Sequence, residues 1–185
     1  SWLCSTFTKE YMDFNHTIAI LGGGNLGVAI AQGLIVSGLL PAEHITITRR
    51  RTSLLADLAK QNVTVTANNA DALKNASIVI LAVQPQQLNE VLTEIKKEVN
   101  PKKHIIISVV SGASIAEITK QLGKNAPVVR AMPNTAIAIR ESMTCLAADT
   151  EHQKALGVAQ QIFDTVGATV MIHEEQMTYA TALCA

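Results

Sequence analysis

Ile18-Ala19-Ile20-Leu21 runs without a polar break into Gly22-Gly23-Gly24-Asn25-Leu26-Gly27, and apolar residues at helical spacing follow at once (Leu26, Ile30, Leu34, Ile35). A continuous apolar run closed by glycines is the pattern of a strand buried on both faces. Strand, glycine turn and helix in that order commit this part of the chain to a βα unit. Such units stack into parallel sheets covered by helices. Gly38 then marks the helix end and Pro41 blocks its continuation.

The alternation continues along the chain. β-Branched runs predict strands at 45–48, 63–66, 77–83, 104–109, 127–131, 143–148 and 168–172. Helical spacing fills the intervals at 53–61, from about 69, at 86–98 and from about 174. Ser114-Ile115-Ala116-Glu117 has capping-box spacing and predicts a helix ending near Gly123; Thr150-Glu151-His152-Gln153 is read as a second box, its helix ending at Gly167. Glu174 and Glu175 read as first-turn acids at a helix N-terminus. The expected fold is α/β, a Rossmann-type doubly wound, mainly parallel sheet with helices on both faces. Residues 1–11 show no clear period before Met12-Asp13-Phe14 and are expected to be a leader or an appended remnant.

Composition narrows the function. Lys+Arg 15 balances Asp+Glu 15, which argues against an electrostatic nucleic-acid or membrane binder. The longest purely apolar run, 78–83, is far short of the ~20 residues of a membrane span. Aromatic residues are 3% of the chain, a poor start for base stacking. Cys4, Cys145 and Cys184 are odd in number and widely spaced, as reduced thiols of an intracellular protein would be. His16, His44, His104, His152 and His173 are scattered, so no metal site is expected. No nucleophile–base constellation is identifiable, and no residue is assigned as catalytic.

Gly22-Gly23-Gly24-Asn25-Leu26-Gly27 is a G-x-G-x-x-G in the context that gives the motif meaning, after a strand and before a helix. Gly22 permits the turn, Gly24 lets backbone approach a pyrophosphate, and Gly27 lets helix and strand pack closely. The helix N-terminus offers free N–H groups to that anion. The bland alternative is a ligand-free turn. At the end of the second strand a carboxylate would select NAD(H). Thr48 is instead followed by Arg49-Arg50-Arg51, whose guanidinium forks suit a 2′-phosphate. NADP(H) is therefore the preferred cofactor, with NAD(H) possible. Arg49 and Arg50 are the chosen contacts, since alternation should turn one neighbour away; a solvated basic corner is the alternative. Polar and turn residues gather after the other strands too: Asn68-Asn69, Gln84-Pro85, Ser111-Gly112 and Met132-Pro133-Asn134-Thr135. Each alone is as good a loop former or helix cap, Asn69 included.

With these blocks in view, residues 16–185 resemble pyrroline-5-carboxylate reductase. The resemblance rests on 20–27 with Ala29, Ile30 and Gly33, on Leu81-Ala82-Val83-Gln84-Pro85, and on 108–112. Arg130-Ala131-Met132-Pro133-Asn134-Thr135 is the most specific block, and Ala180-Thr181-Ala182-Leu183 looks like the lead-in to that family's second domain. The resemblance implies that 22–27, including Asn25 and Leu26, hold the pyrophosphate and that Asn69 approaches the adenosine. It further implies that Ala82, Val83, Gln84 and Pro85 run along the dinucleotide. Ser111, Gly112, Met132, Pro133, Asn134 and Thr135 would then lie near the nicotinamide and substrate. It also implies hydride transfer from NADPH to 1-pyrroline-5-carboxylate, giving L-proline, in a cytoplasmic homo-oligomer that binds neither nucleic acid nor membrane.

Three departures stand out. Gln84 replaces the family's usual lysine, Ala136 its usual proline, and 139–144 lacks its common glycine. The expected organisation is a nucleotide-binding domain at 12–175 and, at 176–185, the start of a truncated helical substrate and dimerisation domain. Two further readings stay open: an NADP(H)-binding module without turnover, and another NADP-linked reductase of the same N-terminal fold.

Overall fold

The computed structural model describes residues 14–183. The expected leader at 1–11, Cys4 and Cys184 lie outside the described residues. Eight strands form one sheet: β1 (Ile18–Leu21), β2 (Ile45–Thr48), β3 (Thr64–Thr66), β4 (Ile78–Leu81), β5 (Ile105–Ser108), β6 (Val128–Met132), β7 (Ser142–Ala148) and β8 (Gly167–Met171). Their order is β3-β2-β1-β4-β5-β6-β7-β8. The helices are α1 (Asn25–Ser37), α2 (Ala56–Lys60), α3 (Asn69–Ala72), α4 (Leu88–Ile95), α5 (Ile115–Leu122), α6 (Gln153–Phe163) and α7 (Met177–Leu183).

The period-2 alternation of a strand sends neighbouring side chains to opposite faces. Ile18 and Ile20 of β1 accordingly join one core, with Ile47, Ile80, Leu34 of α1 and Phe163 of α6. Ala19 and Leu21 join the other, with Val79, Leu81, Leu92 of α4 and Ile118 of α5. Every residue of β1 and β4 is buried, as strands covered on both sides must be. The doubly wound reading is borne out.

One exception to parallel pairing and one corrected expectation stand out. The sheet is mainly parallel, as expected; the exception is β7, which pairs with β6 antiparallel, while β8 lies parallel to β7. The link between β6 and β7 holds just a 3-10 turn, Thr135–Ile139. A parallel crossover needs about a dozen residues or more, so the chain turns back. The corrected expectation is the Thr150 capping box. Ser114 forms its box as expected, its Oγ accepting from the Glu117 N–H (3.0 Å) while Glu117 Oε2 accepts from the Ser114 N–H (3.0 Å). At Thr150 no box forms: the extended residue is Asp149, one position earlier, so Thr150 already sits inside a 3-10 turn and α6 begins at Gln153.

His104, 3% exposed, ties β5 to the end of α3. Its Nδ1 accepts from the Asn100 N–H (2.9 Å), leaving Nε2–H to donate to the Leu73 carbonyl (3.3 Å). Burial lowers its pKa below the ordinary value, the positive Lys103 pushing the same way; partial burial and Lys154 do likewise for His16. Both folded pKa values lie below the unfolded ~6.5, so below that pH the unfolded chain binds more protons. Their contribution is complete above pH ~6.5 and lost on acidification. The urea midpoint should therefore fall between pH 7.5 and 5, about the usual histidine range. His104→Gln should flatten that fall. An equally steep fall in the variant would assign it elsewhere.

Candidate functional site

The glycine turn is shaped by what lies beneath it. The Ala82 N–H donates to the Leu21 carbonyl (2.8 Å), bringing the end of β4 against the turn. Gly22 adopts φ +114°, and a Cβ there would lie 2.5 Å from the Ala82 oxygen. At Gly27 a Cβ would lie 2.0 Å from the Gly22 oxygen. Both positions require glycine for steric reasons alone. Gly24 differs: its φ is −79°, and a Cβ would meet nothing within 4 Å. It faces open space at the N-terminus of α1. That terminus has no side-chain cap and no acid in its first turn, so its unshared N–H groups and partial positive charge face the cleft.

Thr48, at the end of β2, organises the adjacent corner. It is 3% exposed, its Oγ1 accepting from the Gly22 N–H (3.2 Å) and donating to Asn69 Oδ1 (2.6 Å). Its carbonyl accepts from the Gly23 N–H (2.6 Å). Asn69 in turn donates from Nδ2 to Glu94 (2.8 Å). The cap of α3 is Asn68, whose Oδ1 accepts from the Asp71 N–H (3.0 Å). Asn69 is therefore not the cap, and its side chain is turned into the cleft. Arg49 donates from Nη1 to the Gly23 carbonyl (2.8 Å), and Arg50 reaches Glu90 at 3.5 Å across the opening.

Two hollows meet at Gly23, Gly24 and Arg49. One, about 550 Å³, is lined by Arg49, Arg50, Arg51, Asn69, Ala82, Val83 and Gln84, with Glu90 and Glu94 on its α4 side. The other, about 1100 Å³, runs from Asn25 and Leu26 to Ser111, Met132, Pro133, Asn134 and Thr135. They flank the glycine turn at the carboxyl end of β1. There the strand order reverses between β2 and β4, the switch point where open α/β sheets hold ligands.

Three selected residues lie elsewhere. Gly27 is buried under the turn. Pro85 and Gly112 line a separate hollow between α4 and α5, which Ser111 borders as well. Alternation does not remove Arg51, which lines the first hollow with its neighbours. Sequence reasoning missed Thr48, Gln87, Glu90 and Glu94 on one side and Gln32, Val109 and Arg140 on the other. The spacing of Glu90 and Glu94 on one helical face was a usable signal.

The 133–135 loop is held from below. The buried Ser142 Oγ accepts from the Asn134 N–H (3.2 Å) and lies 3.2 Å from Thr144 Oγ1, while Asn134 Oδ1 accepts from the Ala136 N–H (3.2 Å). Arg130 opens the same sequence block but lies 3.9 Å from Glu174. Glu174 Oε2 accepts from the Ile115 N–H at the start of α5 (2.9 Å). It does sit in the first turn of its own segment, as expected; its carboxylate serves a different helix.

Comparison with known proteins places the chain in a family. Residues 17–112, more than half the chain, match the family model described as NADP oxidoreductase, coenzyme F420-dependent. The chain belongs to that family. Within it, the chain is homologous to the N-terminal NAD(P)-binding domain of pyrroline-5-carboxylate reductases, as the sequence resemblance implied. Pyrroline-5-carboxylate reductase 1 of Dictyostelium discoideum is 46% identical over 93% of this chain and 33% of that protein. A pyrroline-5-carboxylate reductase structure from Coxiella burnetii superposes with TM-score 0.85 at 34% identity, over 92% of this chain and 64% of that one. A Plasmodium falciparum pyrroline carboxylate reductase, solved with NADP bound, shares the fold at TM-score 0.78 with 22% identity, over 92% and 62%. The chain thus spans less than two thirds of each of these relatives.

Proposed function

We propose that this chain carries the cofactor half of a pyrroline-5-carboxylate reductase. In this reading it binds NADP(H) for reduction of the ring C=N of 1-pyrroline-5-carboxylate to L-proline. One observation supports it above the rest. An unobstructed glycine at an uncapped helix N-terminus lies between an arginine-lined hollow and a largely apolar one. A dinucleotide has that polarity: adenosine with a 2′-phosphate at one end, nicotinamide at the other, pyrophosphate between. The NADP carried by the Plasmodium relative supports the same assignment.

Residues 22–26 would hold the pyrophosphate, and Arg49, Arg50 and Asn69 the adenosine end. Ala82, Val83 and Gln84 would follow the dinucleotide, with Ser111 and 132–135 beside the nicotinamide. Bound NADPH supplies the hydride, and the imine nitrogen takes a proton. The chain's own task is alignment and exclusion of water, which can supply much of the rate of such a transfer. In this reading residues 12–175 would be the nucleotide-binding domain, and 176–185 the start of a second one. A cytoplasmic homo-oligomer fits the reading; no helix of the described residues is long and apolar enough to cross a membrane.

The alternative reading is a binding module without turnover. NADPH oxidation by the 185-residue chain in the presence of pyrroline-5-carboxylate decides between them. Turnover is expected if the substrate site is assembled from these residues or across a dimer. Saturable NADPH binding without turnover selects the module. Absence of NADPH binding overturns both.

A further inference from the structure

We propose that Glu90 is a specificity-determining residue of the cofactor site, restraining the preference for NADPH over NADH by competing with the 2′-phosphate for Arg50; this rests on the function proposed above. In sequence no acid follows Thr48 before Asp57, which leaves Arg49-Arg50-Arg51 to read as a purely basic corner. The fold changes that balance. It sets α4 against the same hollow, so that Glu90 and Glu94, one helical turn apart, line it together with the three arginines.

The two carboxylates differ in what they hold. Glu94 Oε2 accepts from Asn69 Nδ2 at 2.8 Å and is thereby tied to the Thr48 corner. Glu90 faces Arg50. Both of its oxygens lie 3.5 Å from Arg50 Nη2, and the two side chains are 61% and 80% exposed. A contact of that length is at the limit of a hydrogen bond, so Glu90 holds the guanidinium loosely. A phosphate oxygen at ordinary distance makes a stronger, charge-assisted bond. One guanidinium therefore serves two anions. A 2′-phosphate, carrying close to two negative charges, must take Arg50 from Glu90 and meets the carboxylate's like charge across the shared cation. The 2′-hydroxyl of NADH is neutral and leaves the Arg50–Glu90 pair as it is. Glu90 thus opposes one cofactor and not the other, discrimination by a built-in repulsive element.

The test measures NADPH and NADH affinities of the 185-residue chain from the fluorescence of the bound dihydronicotinamide, at low ionic strength, where exposed charges are least screened. Glu90→Gln should tighten NADPH about three- to fivefold. Glu90→Lys, which reverses the charge, should tighten it about tenfold or more, with NADH changing less than about twofold in either variant. In an Arg50→Ala background the gain from Glu90→Gln should shrink, because the contested cation is gone. Glu43→Gln, in the turn before β2 and so at the amino end of the sheet, controls for net charge and should leave the ratio of the two affinities where it was. An unchanged ratio in both Glu90 variants overturns the proposal. So does an equal tightening of both cofactors, an equal gain with Arg50 absent, or the same shift from Glu43→Gln. Failure of the wild type to bind either cofactor is a different result, and counts against the proposed function itself.

Discussion

A Gly24→Val chain is expected to fold as the wild type does and to lose NADPH affinity at least about a hundredfold, roughly 2.7 kcal/mol. The fold should tolerate the change because a Cβ at Gly24 meets nothing within 4 Å and the backbone φ of −79° is open to any residue. Replacing a glycine N-cap by valine costs about 1 kcal/mol or less. Binding should fail because the new methyl groups fill the space in front of the free N–H groups of α1, where the pyrophosphate would sit. Gly27→Ala is the control with the opposite outcome. Its Cβ would lie 2.0 Å from the Gly22 oxygen, so about 3 kcal/mol or more of stability should go. Circular dichroism and thermal melts separate folding from binding. Unchanged NADPH affinity in a folded Gly24→Val protein would mean that the loop is only a turn.

The second large effect concerns cofactor choice. Replacing Arg49 and Arg50 together by alanine should weaken NADPH by about 3 kcal/mol, over a hundredfold, and NADH only a few fold. Hydrogen bonds from guanidinium to phosphate are charge-assisted, and NADH has no 2′-phosphate to receive them. The single variants should differ in kind. Arg49 also donates to the Gly23 carbonyl (2.8 Å), so its loss loosens the glycine turn and should cost NADH something too. Arg50 pairs with the exposed Glu90, at 3.5 Å. Exposed pairs of this sort contribute little, so a phosphate can draw Arg50 away from Glu90 at small cost, and Arg50→Ala should affect NADPH alone. Equal losses for both cofactors in the double variant would remove the 2′-phosphate assignment.

Part of the geometry of the candidate site is legible in the sequence. The motif gives Gly22, Gly24 and Gly27 distinct tasks from their places in it, and their steric surroundings differ in the same sense. Asn69 was harder to read. As sequence, Asn68 and Asn69 are equally good caps, and only the bond from the Asp71 N–H to Asn68 shows which of them is free to face the cleft. Thr48 carried no signal because a threonine ending a strand is ordinary; its weight comes from Gly22 and Asn69, both more than twenty residues away. Arg130 is the reverse case. It stands in the most family-specific block, yet lies beside Glu174 rather than in either hollow of the cleft.

The sequence by itself determined the βα repeats, the two-faced burial of β1 and β4, the glycine turn and the Ser114 cap. All of these depend on a residue and its near neighbours, through backbone freedom, side-chain period and hydrogen bonds spanning a few positions. Tertiary structure decided the reversal of β7, the joining of two hollows across the β1–β4 switch and the burial of Thr48. Those outcomes depend on which distant segment lies alongside, and a local pattern of propensities holds no record of that partner. The bond between the Ile115 N–H and Glu174, residues 59 apart in sequence, is one such case.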